Sequence, residues 1–91
     1  MCVMPVLSMF YGIIVRMYKE LGGRHNAPHL HASYSGEEVV MNFDGEIIEG
    51  ALPRKQIKLL EAWITIHQDE LKANWEIMST DGQPFKIDPL K

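Results

Sequence analysis

The sequence predicts an α+β fold: a three- or four-stranded antiparallel sheet followed by two helices, or one kinked helix, packed on one face. Two observations predict it. Up to about residue 50 the chain is rich in β-branched and aromatic residues separated by turn residues, and from Pro53 its apolar residues recur at helical spacing. The length of 91 residues fits a single small domain, residues 1–91, with a thin core.

The strands are predicted from periodicity. Residues 9–19 are apolar on both faces, as in a central strand that is covered on both sides. Residues 29–35 and 38–44 alternate between apolar and polar, which is typical of strands with one buried face. Residues 47–48 form a short fourth strand. The hairpin turns are predicted at Ser35-Gly36 and Asp44-Gly45.

The helical part is predicted to break once. Pro53 suits the first turn of a helix, where its missing N–H costs nothing. A single helix from there would run for about 27 residues, longer than the sheet that it covers, so a break is expected near His67. Asp69 and Glu70 then lie in the first turn of a second helix, where negative charge is favourable. Residues 84–90 are expected to be extended and to return to a sheet edge.

Composition excludes several classes of protein. The net charge of −3 argues against a domain that depends mainly on phosphate contacts. Cys2 is the single cysteine, which excludes a disulfide scaffold and a cysteine-based zinc finger. Residues 1–15 are uncharged and mostly apolar, but they lack a basic leader region and are too short to span a membrane. We therefore expect a cytoplasmic protein with no membrane segment and no cofactor.

The stretch most suggestive of chemistry is His25-Asn26-Ala27-Pro28-His29-Leu30-His31. Pro28 favours an extended conformation for the residue before it, so a strand begins where the histidines begin. Histidines at positions i and i+2 of a strand project from the same face, with Cβ atoms about 6–7 Å apart. Four interpretations of this pair are open: a structural role, an acid–base pair, a metal site and part of a partner-binding surface.

In the acid–base interpretation, His29 and His31 act on a phosphodiester, since histidine serves as both base and acid near neutral pH. If the strand that carries Arg16 pairs with the histidine strand, Arg16 flanks the histidines and stabilises developing phosphate charge. In the metal interpretation, His25, Asp44 or Glu38 joins the pair, a ligand set that suits zinc, iron or nickel. No other metal-binding motif completes that set.

Three further aromatic or titratable residues are predicted to be structural. His67 lies on the apolar stripe beside the helix break and is expected to be a hydrogen-bonded structural histidine. Trp63 and Trp75 lie about three turns apart on the same stripe and are expected to be core anchors rather than a stacking platform for bases.

Three segments together resemble a known family: the beginning of the chain from Met4-Pro5, the Ala-Pro-His-Leu-His-Ala core at 27–32, and the His-Gln-Asp-Glu-Leu-Lys-Ala-Asn-Trp stretch at 67–75. They resemble the small bacterial proteins grouped as domain of unknown function forty-one-sixty. Ala27 departs from that family's usual proline. The resemblance carries over to His29, His31, His67, Glu70, Leu71 and Trp75.

That family has no established activity to carry over. Its members resemble one half of a two-gene module beside another short protein, an arrangement similar to toxin–antitoxin pairs. Our leading hypothesis is therefore a non-enzymatic interaction or regulatory component that binds a small partner protein or a second copy of itself. The alternatives are a metal-independent endoribonuclease toxin that uses the histidine pair on RNA, and a small metal-binding protein.

Overall fold

A computed structural model describes residues 5–17 and 27–91 of the chain. Five antiparallel strands form one sheet in sequence order, and two helices follow. The α+β class and the meander are confirmed, while the strand number is five rather than three or four. The strands are β1 (Val6–Phe10), β2 (Ile13–Arg16), β3 (His29–Tyr34), β4 (Glu37–Asn42) and β5 (Ile47–Gly50), and the helices are α1 (Arg54–Ile66) and α2 (Gln68–Ser79).

The fifth strand arises because the predicted single strand over residues 9–19 is wrong over its described part, while its last two residues lie outside the described residues. The chain turns at Tyr11 and Gly12, which have φ angles of 48° and 80°, and then pairs back on itself as the hairpin β1–β2. Two consecutive residues with positive φ form the tight turn whose twist matches antiparallel strands. Tyrosine is an unusual first residue for such a turn, and the continuous apolar run concealed it. The other two predicted turns, Ser35-Gly36 and Asp44-Gly45, lie between paired strands and are confirmed.

The apolar core lies on one face of the sheet, which we call the core face. Val15 is the Cα partner of Ala32, and Ala32 is the partner of Val39, so these side chains point to the same side. Helix α1 packs there, and the ring of Phe10 lies 5.4 Å from that of Trp63. The fully buried cluster also includes Ile13, Leu30, Met41, Leu60, Ile64 and Leu71.

The predicted helix break is present. Helix α1 ends at Ile66 and α2 begins at Gln68, with His67 between them and Asp69 and Glu70 in the first turn of α2. Helix α1 begins immediately after Pro53, so the predicted start is correct to one residue. Within residues 5–17 and 27–91, neither helix has the length and apolar character needed to cross a membrane.

The C-terminal segment, residues 84–91, is held against the helices and the edge of β1. The buried side chain of Asn74 donates a hydrogen bond to the Phe85 carbonyl (3.0 Å) and accepts one from the Phe85 amide (2.8 Å). The amide of Ile87 donates to the carbonyl of Leu7 in β1 at 2.8 Å. The predicted return of this segment to a sheet edge is therefore confirmed, and it covers part of the β1 edge.

Candidate functional site

The sheet brings the sequence-predicted site residues together on the face opposite the core face. Arg16 in β2 is the Cα partner of His31 in β3. His29 lies two residues before His31, so its side chain projects from the same face, and the two imidazole centroids are 5.3 Å apart. The predicted juxtaposition of Arg16 with the histidine pair is therefore a property of the strand register.

The ring of His29 is completely buried. Its Nδ1 donates a hydrogen bond to the carbonyl of Ala27 at 2.7 Å, and because a carbonyl only accepts, Nδ1 carries the hydrogen. The ring also lies 5.2 Å from that of Trp75 in α2. His29 therefore connects the beginning of β3, the loop before it and the second helix.

His31 is nearly as buried, at 5% exposure. Its Nδ1 lies 3.4 Å from Oε1 of Glu38, an exposed carboxylate on the neighbouring strand β4. A phosphodiester of an RNA strand needs open access to both a base and an acid. The burial of both rings supports a structural role over an acid–base one in this conformation.

The described residues hold no complete metal site. Within residues 5–17 and 27–91 there is no group of three or more histidine, cysteine, aspartate or glutamate side chains that could hold an ion. Of the predicted ligands, Glu38 contacts His31, while Asp44 lies beyond the end of β4. His25 lies outside the described residues.

A cavity of about 470 Å³ opens beside the histidines, at the end of the sheet where β3 begins and β4 ends. We call it the pocket. Its walls come from the loop before β3, from the β4–β5 turn and from α2. The lining residues are Ala27, Pro28, Asn42, Phe43, Asp44, Lys72, Trp75 and Glu76.

Two of these walls are fixed by hydrogen bonds. The side-chain oxygen of Asn42 accepts from the amides of Asp44 and Glu46, both at 2.9 Å, and its nitrogen donates to the Glu46 carboxylate at 3.0 Å. The side chain of Gln68 donates to the carbonyl of Phe43 at 2.8 Å, which ties the turn to the beginning of α2. The ring of Phe43 meets that of Trp75 edge to face, with centroids 6.2 Å apart. The pocket is therefore built on restrained elements.

A second feature is the open edge of the sheet at β5. All four residues of this strand are exposed, including Ile47 at 49% and Ile48 at 40%. In the described part of the chain β5 pairs only with β4, so its outer edge has no strand beside it. The edge at β1, by contrast, is met by the C-terminal segment.

The remaining predicted structural residues differ in outcome. His67 lies between the helices with its Nδ1 2.6 Å from the Glu70 carboxylate, as expected for a hydrogen-bonded structural histidine. Trp63 is fully buried, and its indole N–H donates to the carbonyl of Asp88 at 2.8 Å. Trp75 is half-buried and lines the pocket, so it is more than a core anchor.

Sequence reasoning missed the pocket. It predicted an open sheet edge that could pair with a partner or a second copy, but it did not identify β5 as that edge. The pocket residues come from three separated segments, and pairing them requires the sheet register and the position of α2. One signal was present: Trp75 closes the helical motif of the family that the sequence resembles. The β5 edge carried its own signal in two adjacent isoleucines within a short strand.

Residues 12–76, more than two thirds of the chain, match a family model with the description Domain of unknown function (DUF4160). That range includes the histidine pair and most of the pocket-forming helix. Searches of the curated proteins and of the solved structures give no match.

Proposed function

The chain belongs to the family Domain of unknown function (DUF4160), and we propose that it is a cytoplasmic, non-enzymatic interaction component of a toxin–antitoxin-like two-protein module. Its partner is a small protein that binds at the open edge of the sheet. The observation that carries this proposal is the exposure of the whole of β5.

An open strand edge presents unpaired backbone donors and acceptors, and it recruits an extended segment of another chain. Natural sheets usually protect such an edge with charge, proline or a covering segment. β5 carries one exposed charge, Glu49, but its two adjacent isoleucines are also exposed, so a partner strand gains both backbone hydrogen bonds and apolar contact. The edge at β1 is less available, because Ile87 already bonds to Leu7.

A metal-independent endoribonuclease is the second candidate. One observation favours it: Arg16 is the register partner of His31, as a phosphate-binding cation beside an acid–base pair would be. The burial of His29 and His31 weighs against it, because the rings offer almost no surface to a substrate.

Binding to the edge is tested by replacing an exposed isoleucine. The family resemblance implies that a short protein is encoded beside this chain. The two proteins are coexpressed, and complex formation is measured by size-exclusion chromatography and titration calorimetry. Ile48→Lys places a charge in the strand interface and is expected to weaken the complex at least tenfold. The matched control is Ile66→Lys, because Ile66 is 64% exposed and lies at the end of α1 rather than in the sheet.

Both variants are expected to fold, since each replaced side chain is exposed. Complex formation that is equal for Ile48→Lys, Ile66→Lys and the unmodified chain would contradict the proposal. A homodimer that dissociates in Ile48→Lys alone would keep the edge as the binding surface but replace the partner by a second copy.

The nuclease candidate is tested with the unmodified protein, which avoids the destabilisation expected from replacing a buried histidine. Purified chain is incubated with total RNA between about pH 6 and 7.5, where histidine exchanges protons. Intact RNA, together with normal growth on expression without the neighbouring protein, is the result that we expect. Cleavage that stops in Arg16→Ala would support the nuclease instead.

A further inference from the structure

We infer that the pocket binds an arginine side chain, and that the partner protein supplies it. The inference rests on the proposed function only for the source of the arginine. The chemistry of the pocket itself is a property of this chain.

The size and the aromatic lining of the cavity suit a guanidinium. Its volume of about 470 Å³ lies in the range of ligand-binding pockets. Phe43 and Trp75 supply aromatic wall, and Trp75 is only half-buried. A guanidinium is planar, weakly hydrated and stacks on aromatic rings, and tryptophan is the best of the aromatic residues for that contact.

The charge of the lining favours a cation. Two carboxylates, Asp44 and Glu76, line the pocket with one ammonium, Lys72, so the lining is negative by one charge. Across residues 5–17 and 27–91, neither carboxylate accepts a hydrogen bond or enters an ion pair. They are exposed and available to a ligand. Carboxylates bind a guanidinium through charge-assisted, often bidentate, hydrogen bonds.

The same features disfavour a nucleotide, the other ligand that an aromatic wall suggests. A phosphate is repelled by the two carboxylates and by a chain whose net charge is −3. A base needs a free amide or carbonyl for recognition of its edge, but the side chain of Asn42 is already bonded within the β4–β5 turn.

The pocket wall is held in place by the histidine motif. His29 contacts Trp75 through its ring and holds Ala27 through Nδ1, and both of these residues line the pocket. His29 is therefore a positioning residue for the wall on which the guanidinium stacks. A wall that is fixed before binding reduces the entropy lost on association.

The test uses NMR titration of the full chain with blocked tripeptides. The probes are Gly-Arg-Gly and Gly-citrulline-Gly, which match in shape and differ in charge, with AMP as the competing ligand class. Gly-Arg-Gly is expected to shift the Trp75 indole signal and to saturate at concentrations on the order of 1 mM. The citrulline peptide is expected to bind at least about fivefold more weakly.

Variants locate the interaction. Asp44→Asn and Glu76→Gln are each expected to weaken Gly-Arg-Gly binding about threefold, and Lys72→Met to strengthen it by a similar factor. Asp69→Asn is the matched control, because Asp69 is an exposed carboxylate on the same helix but does not line the pocket. It is expected to leave binding unchanged.

Equal binding of the two peptides would overturn the inference, as would AMP binding in the pocket in place of arginine. An absence of shifts at Trp75 at the highest peptide concentration would also overturn it. These outcomes are separate from those of the edge test. Loss of complex formation in Ile48→Lys tests β5, whereas the peptide titration involves no partner protein.

Discussion

The beginning of β3 and the strand β5 lie in one small sheet but differ in almost every physical respect. His29 is fully buried, bonded to the Ala27 carbonyl and packed on Trp75. Ile47 and Ile48 in β5 are apolar and exposed. The titratable side chain therefore lies in the interior, and the two aliphatic side chains lie at the surface.

The difference in burial separates a catalytic from a structural interpretation of the histidine pair. A histidine pair suggests catalysis because imidazole titrates near neutral pH. Burial converts the same ring into a rigid, polar packing element, and the function moves to the surface that it supports. We propose that in this chain that surface is the pocket, and that the exposed edge at β5 contacts another chain.

The largest expected effect comes from truncating the buried histidine. His29→Ala removes a ring from the interior and leaves the Ala27 carbonyl without its donor, so we expect the free energy of unfolding to fall by about 3–4 kcal/mol. Ile48→Ala, at the exposed edge, is expected to change it by less than about 0.5 kcal/mol. Urea denaturation followed by tryptophan fluorescence measures both.

Similar losses in the two variants would break the comparison, because they would mean that β5 is as important to stability as the beginning of β3. If His29→Ala is too unstable to purify, His29→Gln is measured in its place. Glutamine keeps a donor but loses the ring contact with Trp75, so an intermediate loss is expected.

Much of the fold could be predicted from sequence because its signals are local. The break at His67 follows from helix length, and the turns at Ser35-Gly36 and Asp44-Gly45 follow from residue type. The hairpin at Tyr11-Gly12 could not be predicted in this way. A continuous apolar run contains no polar boundary, so a single strand and a tight hairpin have the same composition.

The site could be predicted only in part. The shared face of His29 and His31 follows from strand periodicity, and the position of Arg16 follows once its strand is assumed to pair with theirs. Their burial depends on what packs over that face, which periodicity does not encode. The contact between His29 and Trp75 joins residues 46 positions apart, and it requires α2 to pack beside the beginning of β3.

Two glycines, Gly50 and Gly36, test how firmly the backbone of β5 is attached to the sheet. Gly50, at the end of β5, has a φ angle of 81°, and an added Cβ would collide with the carbonyl oxygen of Glu38. Gly50→Ala is therefore expected to lower the free energy of unfolding by about 2–3 kcal/mol. Gly36→Ala has the same backbone strain at φ 85° but open space around the new methyl group, so about 1 kcal/mol is expected.

Thermal and urea unfolding of the two glycine variants give the measurement. If Gly36→Ala costs as much as Gly50→Ala, steric contact with β4 contributes nothing and β5 is not held tightly to its neighbour. The expected order instead means that β5 is firmly attached along its inner edge while its outer edge stays open. A strand with that combination is suited to receive a partner without unfolding.

The smallest expected effect concerns His67, whose side chain, at 13% exposure, is intermediate in burial between His29 and the β5 isoleucines. His67 contacts Glu70 at 2.6 Å in the first turn of α2, with the carboxylate 44% exposed. Glu70→Gln removes both this contact and a favourable charge at the helix N-terminus, so we expect a loss of about 0.5–1 kcal/mol. Asp69→Asn removes a charge from the same turn without a histidine contact, and about 0.3 kcal/mol is expected. Equal losses in urea denaturation would show that the helix dipole accounts for the whole effect and that the contact with His67 adds no stability.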